Sequence, residues 1–304
     1  MPGDLNKAPM TIPAADIQRI VDRYLRSEAS APMVLMELVQ RTEDTAALAG
    51  ALPTLAGDPA RLRELAQHLA EHEAGCRTIV RMIRQRLDSP ELADDAEDGI
   101  ARCRKLFDAS VAESEESSVA LYSLGSPELL AAATNEVIAV LEDWGVLGLH
   151  RDALEIGCGI GRLMVPLCSR VRCVVGTDVS SGMISAARRR LEGLPDASVQ
   201  LTTGQDLSAF SSAAVDLVYS VDTFPYLVLS GHALVERHFR EVRRVLRPAG
   251  DFVLFNYAYG RRREDVNAEV FALADSAGLQ VIRANESPFQ LWNGVGWLMR
   301  RGQT

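Results

Sequence analysis

Three glycines at alternate positions, Gly157, Gly159 and Gly161, directly follow a short apolar segment that contains Glu155. Glycine has no Cβ and adopts positive φ angles readily, so this spacing lets the backbone turn tightly and leaves room for a ligand. The pattern predicts a short buried strand, a turn, and then a helix whose first amide groups face the turn. We expect a small polar molecule or a cofactor to bind there.

Asp178 closes the next predicted strand, and a carboxylate in that position can accept hydrogen bonds from both hydroxyls of a ribose. The pairing of a glycine turn with a carboxylate that binds ribose is shared by dinucleotide-binding folds and by folds that bind S-adenosylmethionine. Two features separate the two classes here. Glu155 precedes the first glycine by two residues, and the turn reads G-x-G-x-G instead of G-x-G-x-x-G.

These residues need a scaffold, and strands alternate with helices from residue 152 onward. The pattern predicts an α/β fold, a Rossmann-like parallel sheet with helices on both faces. The strands are expected at 153–156, 171–177, 198–202, 215–220, 251–257 and 279–283, and the helices at 161–168, 181–191, 232–246 and 264–277. Ligands bind at the carboxyl ends of such strands, so the chemistry is expected at those ends.

The remainder of the chain divides by pattern. Residues 1–13 contain three prolines and little periodicity, which predicts a loose tail. Residues 14–108 show helical periodicity throughout and predict an all-α N-terminal domain. Residues 109–125 are expected to form a mobile connector whose apolar end either closes over a site as a lid or packs in a crevice, and residues 126–304 form the cofactor-binding domain.

Charge and composition argue against some classes of function and partner. Residues 1–150 carry 14 basic and 25 acidic side chains, and residues 151–304 carry 18 and 16, which argues against a nucleic-acid partner because phosphate binding needs a basic face. The apolar runs are too short for a membrane span. Five scattered cysteines and the lack of a secretory signal favour free thiols in a cytoplasmic protein. The sequence leaves a homodimer open.

Four blocks in order carry a resemblance to a known family: LEIGCGIG at 154–161, GTDVS at 176–180, VDLVYS at 215–220 and EVRRVLRPAG at 241–250. On these blocks, residues 126–301 resemble the class I S-adenosylmethionine-dependent methyltransferases of the small-molecule type. The glycine turn alone is a weak signal, but four blocks with the right spacing are a strong one. The chain departs from the family pattern at Ala249, where a second glycine is usual.

The resemblance implies a binding site for S-adenosylmethionine. Its residues would be Glu155, Gly157, Gly159, Gly161, Asp178, Met183, Asp206, Leu207 and Ser220. Glu155 would approach the ammonium of the methionine part, Asp178 would hold the ribose, and Asp206 would accept from the adenine amine. Met183 and Leu207 fit ordinary core positions equally well.

The implied reaction is an in-line displacement in which an oxygen, nitrogen or carbon of a small molecule attacks the methyl group. A base is needed only if the acceptor must lose a proton, and Asp222, the first choice, and His232 are the candidates. A capping role for Asp222 is an equal alternative. Aromatic residues expected to contact the acceptor are Tyr122, Phe224, Tyr226, Tyr257 and Trp292.

Other interpretations remain open at this stage. His68 and His72 lie one helical turn apart, but they lack the H-E-x-x-H order and fit a solvated helix face, so no metal is expected. Three alternatives compete with the small-molecule methyltransferase: a protein-directed methyltransferase, a nicotinamide-dependent dehydrogenase, and a protein that binds S-adenosylmethionine without transferring its methyl group.

Overall fold

A computed structural model describes residues 12–42, 44–85, 93 and 95–303 of the 304-residue chain. Most of the expected loose tail at 1–13 therefore lies outside the described residues. The helices are α1 Ala14–Leu25, α2 Ala31–Val39, α3 Thr45–Ala51, α4 Pro59–Glu71, α5 Glu73–Arg84, α6 Ala96–Glu113, α7 Glu115–Val119, α8 Pro127–Asp143, α9 Met164–Leu167, α10 Ser181–Arg190, α11 Phe224–Leu229, α12 His232–Val245 and α13 Arg263–Ala277. The strands are β1 Gly148–Ile156, β2 Val171–Asp178, β3 Ala197–Leu201, β4 Val215–Val221, β5 Leu246–Phe255, β6 Leu279–Glu286 and β7 Gly296–Arg301.

The chain forms two compact units. The first contains Met1–Asp88, Glu113–Ala133 and Gln290–Asn293, and the second contains Ser89–Ala112, Thr134–Phe289 and Gly294–Thr304. Most of α6 thus belongs to the second unit, although it was expected in the N-terminal helical domain. The domain limits at 108 and 125 stay predictions.

The first unit is helical, and its core is made by the apolar faces that the sequence periodicity predicts. Val34, Leu35 and Leu38 are fully buried in one cluster of leucine, valine and isoleucine side chains. Asp58 caps α4, because its carboxylate accepts a hydrogen bond from the Ala60 N–H at 2.8 Å and a proline follows in the first turn. Burying each such core side chain stabilises the fold by about 1.5–3 kcal/mol.

The second unit contains a seven-stranded sheet in the order β3-β2-β1-β4-β5-β7-β6. All neighbours pair in parallel except β7, which is antiparallel to both β5 and β6. The α/β fold class is confirmed. Because the order reverses direction beside β1, the carboxyl ends of β1, β2, β4 and β5 form the edge at which such sheets bind ligands.

Two local structures differ from the sequence pattern. The helix predicted at 161–168 is only the four-residue α9, because Gly161 has a φ of 73° and the turn continues beyond it. The second concerns only helix content: part of the acidic serine run 113–118 forms α7, in which the Ser114 hydroxyl caps the helix by accepting from the Ser117 N–H, and the connector role of residues 109–125 stays a prediction. Within the described residues, no helix is long and apolar enough to cross a membrane.

Candidate functional site

The glycine turn lies at the carboxyl end of β1. The φ angles of Gly157, Gly159 and Gly161 are 72°, 52° and 73°, all in the region that side chains disfavour. A Cβ on Gly157 would lie 2.0 Å from Thr223 Oγ1. The N–H groups of Gly157 and Cys158 donate to the Thr177 carbonyl at 2.8 and 2.9 Å, which fixes the turn against the end of β2.

Asp178 lies at that end of β2 and is directly connected to the glycine turn. Its Oδ2 accepts a hydrogen bond from the Gly159 N–H at 2.9 Å, and its Oδ1 accepts one from the Ser180 N–H at 2.9 Å. Burial raises the pKa of Asp178 to about 6, and these backbone N–H groups oppose the shift. The carboxylate is therefore ionised at neutral pH.

Glu155, on β1, is a buried acid with one hydrogen-bond donor, the Tyr219 hydroxyl, which donates to Oε2 at 2.8 Å. Burial raises the pKa of Glu155 to about 8, and the Tyr219 hydrogen bond and the charge of Arg162 oppose the shift. At neutral pH the side chain is therefore mostly protonated. An ammonium group placed beside it would favour the ionised form.

Arg162 is a charged residue of this site that the sequence reasoning missed. It is 9% exposed, and its Nη1 donates to Thr134 Oγ1 at 3.1 Å. Its positive charge opposes the rise in pKa that burial causes at both Glu155 and Asp222. The sequence feature that could have identified Arg162 is its position directly after Gly161.

The remaining residues expected to contact the cofactor are placed as follows. Met183 and Leu207 are 1% and 3% exposed, as core side chains would be. The Asp206 carboxylate accepts from both the N–H and the hydroxyl of Ser208, and these hydrogen bonds lower the pKa of Asp206. The hydroxyl of buried Ser220 donates to the Ile156 carbonyl at 3.2 Å.

Helix α6 packs on the loop that follows β2, a placement that the sequence reasoning missed. Asp108 Oδ1 accepts from the Ser180 hydroxyl at 2.7 Å and from the Gly182 N–H at 2.8 Å. A Cβ on Gly182 would lie 2.7 Å from Val111 Cγ1, so glycine is needed for this close approach. The helix therefore covers the start of α10, beside Asp178.

Asp222 follows β4 and is clamped by residues that follow β5. Its Oδ1 accepts from Asn256 Nδ2 at 2.9 Å and from the Tyr259 hydroxyl at 2.6 Å. Burial raises the pKa of Asp222, and the Tyr259 and Asn256 hydrogen bonds and the charge of Arg162 oppose the shift. Beside it, Tyr226 packs edge-on against Phe107 and Tyr259, with ring centroids 4.9 and 6.3 Å apart.

Other candidates for acceptor contact are placed elsewhere. Phe224 is fully buried in the core against Phe239, and buried Tyr257 donates its hydroxyl to Glu269 Oε1 at 2.6 Å. In the first unit, Tyr122 stacks on Trp292 at 6.0 Å between centroids. Acceptor contact by Phe224, Tyr257, Tyr122 and Trp292 stays a prediction.

Histidine side chains occur at two positions that the sequence singled out. His232 lies 3.3 Å from a carboxylate oxygen of Glu236 and 3.3 Å from one of Glu269. In the first unit the ligand atoms of His68, Glu71 and His72 lie within 4.8 Å of one another on an exposed helix face.

Comparison with known proteins decides between the nucleotide-binding classes. Residues 154–254 match the family model described as a methyltransferase domain, which covers the glycine turn, Asp178 and Asp222. This part of the chain is similar to methyltransferase domains, as the resemblance in the sequence implied. The match supports S-adenosylmethionine as the cofactor.

Relatives of the methyltransferase domain are known from sequence and from structure. The "Probable S-adenosylmethionine-dependent methyltransferase CRG1" of Saccharomyces cerevisiae is 30% identical over 113 residues, which are 36% of this chain and 37% of that protein. The chain thus matches well under half the length of this curated relative.

Two solved structures share the fold. Phosphoethanolamine N-methyltransferase 1 of Haemonchus contortus, in complex with phosphoethanolamine and S-adenosylhomocysteine, superposes with a TM-score of 0.54 at 17% identity, over 69% of this chain and 50% of that one. The cyclase SpnF superposes with a TM-score of 0.52 at 14% identity, over 71% and 100%. At such identities the likeness concerns the fold alone.

Proposed function

We propose that this protein is an enzyme that transfers the methyl group of S-adenosylmethionine to a small molecule. The observation that carries the proposal is the position of two buried carboxylic acids, Glu155 and Asp178, on either side of the glycine turn of a methyltransferase domain.

The chemistry of these side chains fits the cofactor. The methionine part carries an ammonium and a carboxylate, and Glu155 and Arg162 offer one complementary charge to each. The positive φ angles at Gly157 and Gly159 leave the backbone bare beside them. Asp178 is ionised at neutral pH and is positioned at a strand end to accept from ribose hydroxyls.

The cofactor supplies a methyl group on a good leaving group, so the protein mainly has to align two reactants and exclude water. Glu155, Arg162 and Asp178 would hold the donor. Helix α6, which packs beside Asp178, would cover it. Asp222 would take a proton from an acceptor that must lose one.

A small-molecule acceptor is the form of the proposal that the charges favour. The acidic first half of the chain disfavours nucleic acid, because phosphate binding needs basic side chains. The sequence also predicts a cytoplasmic protein without a membrane partner. It leaves open whether the protein forms a homodimer.

Calorimetric titration tests the cofactor site. The wild-type protein should bind S-adenosylhomocysteine and show no binding of NAD⁺. Asp178→Ala should weaken binding by at least about 100-fold, since two hydrogen bonds to a charged group contribute about 1.5–3 kcal/mol each. Asp265→Ala, which removes a carboxylate whose side chain is 59% exposed on α13, is the matched control and should bind as the wild type does.

Tight NAD⁺ binding without S-adenosylhomocysteine binding would contradict the proposal and favour a dehydrogenase. Unchanged affinity in Asp178→Ala would show that the cofactor binds elsewhere. Circular dichroism of each variant separates a lost contact from a lost fold.

A further inference from the structure

Asp222 and Asn256 form an unusual pair at the carboxyl ends of β4 and β5. Both have positive φ angles, 62° and 60°, although neither is glycine. The two side chains are joined by the 2.9 Å hydrogen bond from Asn256 Nδ2. Asn256 is held in turn by Val295, whose N–H donates to Oδ1 at 3.1 Å. Such strained residues persist only where the surroundings fix them, and they cluster at functional sites.

The carboxylate of Asp222 is left with one oxygen available. Both donors, Asn256 and the Tyr259 hydroxyl, bind Oδ1, and among the described residues no hydrogen bond reaches Oδ2. Oδ2 is also not among the fully enclosed polar atoms that lack a partner. The clamp therefore fixes the carboxylate through Oδ1 and leaves Oδ2 without a hydrogen-bond donor among the described residues.

Aromatic rings lie beside this oxygen. Tyr259, which is 49% exposed, is bonded to Asp222 through its hydroxyl, and Tyr226 packs perpendicular to it at an interplanar angle of 88°. Phe107 supports Tyr226 from α6. Tyrosine ring faces carry a negative potential that attracts cations, and a neighbouring carboxylate adds to that attraction.

The cluster adjoins the glycine turn of the predicted cofactor site. Thr223, the next residue after Asp222, has its hydroxyl 3.1 Å from the Ile156 carbonyl and 3.4 Å from that of Gly157, in the glycine turn. A ligand at Asp222 would therefore lie next to the cofactor pocket.

We propose that the methyl acceptor is an amine, bound as its ammonium by Asp222 Oδ2 and by the rings of Tyr226 and Tyr259. This inference rests on the proposed function. The ammonium first gives a proton to Asp222, which leaves a neutral amine and a protonated carboxylic acid. The nitrogen lone pair then forms the new N–C bond while the S–C bond of the cofactor breaks and its electron pair stays on sulfur. The product is a methylated ammonium, and the Asp222 proton passes to solvent.

The same surroundings fit other acceptors less well. A carboxylate acceptor would be repelled by Asp222, and a neutral alcohol would gain nothing from the charge. The positive charge of Arg162 opposes binding of a cation, but this charge also acts on Glu155, and the Arg162 side chain donates its hydrogen bond to Thr134. We therefore assign recognition of the acceptor to the clamped carboxylate and the rings.

Cation recognition can be tested before the acceptor is known. Choline and 3,3-dimethylbutan-1-ol have nearly the same shape and differ in charge, and their affinities for the S-adenosylhomocysteine-loaded full chain can be measured by NMR shift titration. We expect choline to bind at least tenfold more tightly. Asp222→Asn, which keeps the shape of the side chain, should abolish the preference.

Ring variants provide the second arm of the test. Tyr226→Leu should weaken choline binding at least threefold and leave the alcohol unaffected, whereas Tyr226→Phe, which keeps the ring, should retain the preference for choline. Asp265→Asn is the matched control for the charge change. This arm remains decisive if Asp222→Asn fails to fold.

Equal affinity for the two probes, a preference that survives in Asp222→Asn, or undetectable choline binding would each overturn the amine inference. S-adenosylhomocysteine binding is measured on the same samples. Its loss in the wild-type protein would refute the proposed function, whereas its presence without cation preference would refute only the acceptor class.

Discussion

The protonation of Glu155 makes cofactor affinity depend on pH in a calculable way. The free protein holds this buried side chain with a pKa of about 8. An ammonium beside it is stabilised only by the ionised form, so binding should be accompanied by release of the Glu155 proton. The perturbation to make is Glu155→Gln, which keeps the size of the side chain and removes the titration.

The magnitude follows from the distance between the pH and the pKa. Below pH 8, ionising Glu155 costs about 1.4 kcal/mol for each pH unit, which is about tenfold in affinity. The affinity should therefore rise about tenfold from pH 6.5 to 7.5 and level off near pH 8. Asp178, with a pKa of about 6, is largely ionised across this window and adds little to the slope.

The groups that face Glu155 set the conditions of the assay. They are the Tyr219 hydroxyl, Arg162, Asp178 and Cys158, and burial raises the pKa of the Tyr219 and Cys158 groups well above the window. Calorimetry with S-adenosylhomocysteine in two buffers of different ionisation enthalpy should detect the released proton directly. The ligand amine limits the window, since an α-amino group titrates near pH 8.

In Glu155→Gln the affinity should be lower at pH 7.5 and nearly constant across the window, with no proton released. Wild-type affinity that stays flat from pH 6.5 to 7.5, or an equal slope in Glu155→Gln, would refute the assignment of Glu155 to the ammonium.

Three further predictions concern the free protein. Because the folded-state pKa of Glu155 lies above its ordinary value of 4.5, the folded chain keeps a proton that the unfolded chain loses, so this contribution to stability is complete below pH 4.5 and is lost as the pH rises to about 8; urea denaturation should show the decline in the wild type and less of it in Glu155→Gln. Gly157→Ala should lower the melting temperature and abolish cofactor binding, since the new Cβ would lie 2.0 Å from Thr223 Oγ1 at a φ of 72°; a thermal shift within one degree of wild type would contradict this. Asp108→Ala should destabilise the protein by about 1–3 kcal/mol and increase hydrogen exchange at Gly182, whose N–H it accepts, with Asp265→Ala as the control; unchanged exchange would show that α6 does not hold this loop.

Much of the second unit could be predicted from the sequence because its signals are local. Alternating apolar strands and helices gave the α/β class, and each predicted strand has an observed counterpart. The glycine turn and Asp178 are adjacent in the structure, as expected for consecutive strand ends. The length of α9 was misjudged, because the sequence pattern does not show how far a turn with positive φ angles extends past Gly161.

The rest depended on contacts between residues far apart in the chain. Helix α6 has an amphipathic pattern that fits either unit, and only its packing on Gly182 places it beside the site. Arg162 resembles a surface residue in sequence, since burial of an arginine is visible only once its partners are positioned. The clamp on Asp222 joins residues 34 and 37 positions away.

The central claim, methyl transfer from S-adenosylmethionine, is tested most directly with methyl-labelled cofactor. The full chain is incubated with it and with a fractionated extract of small molecules, and the products are identified by mass. We expect a labelled small molecule to form together with S-adenosylhomocysteine. Both products should be lost in Asp178→Ala and retained in Asp265→Ala. Tight cofactor binding without label in any product would contradict it.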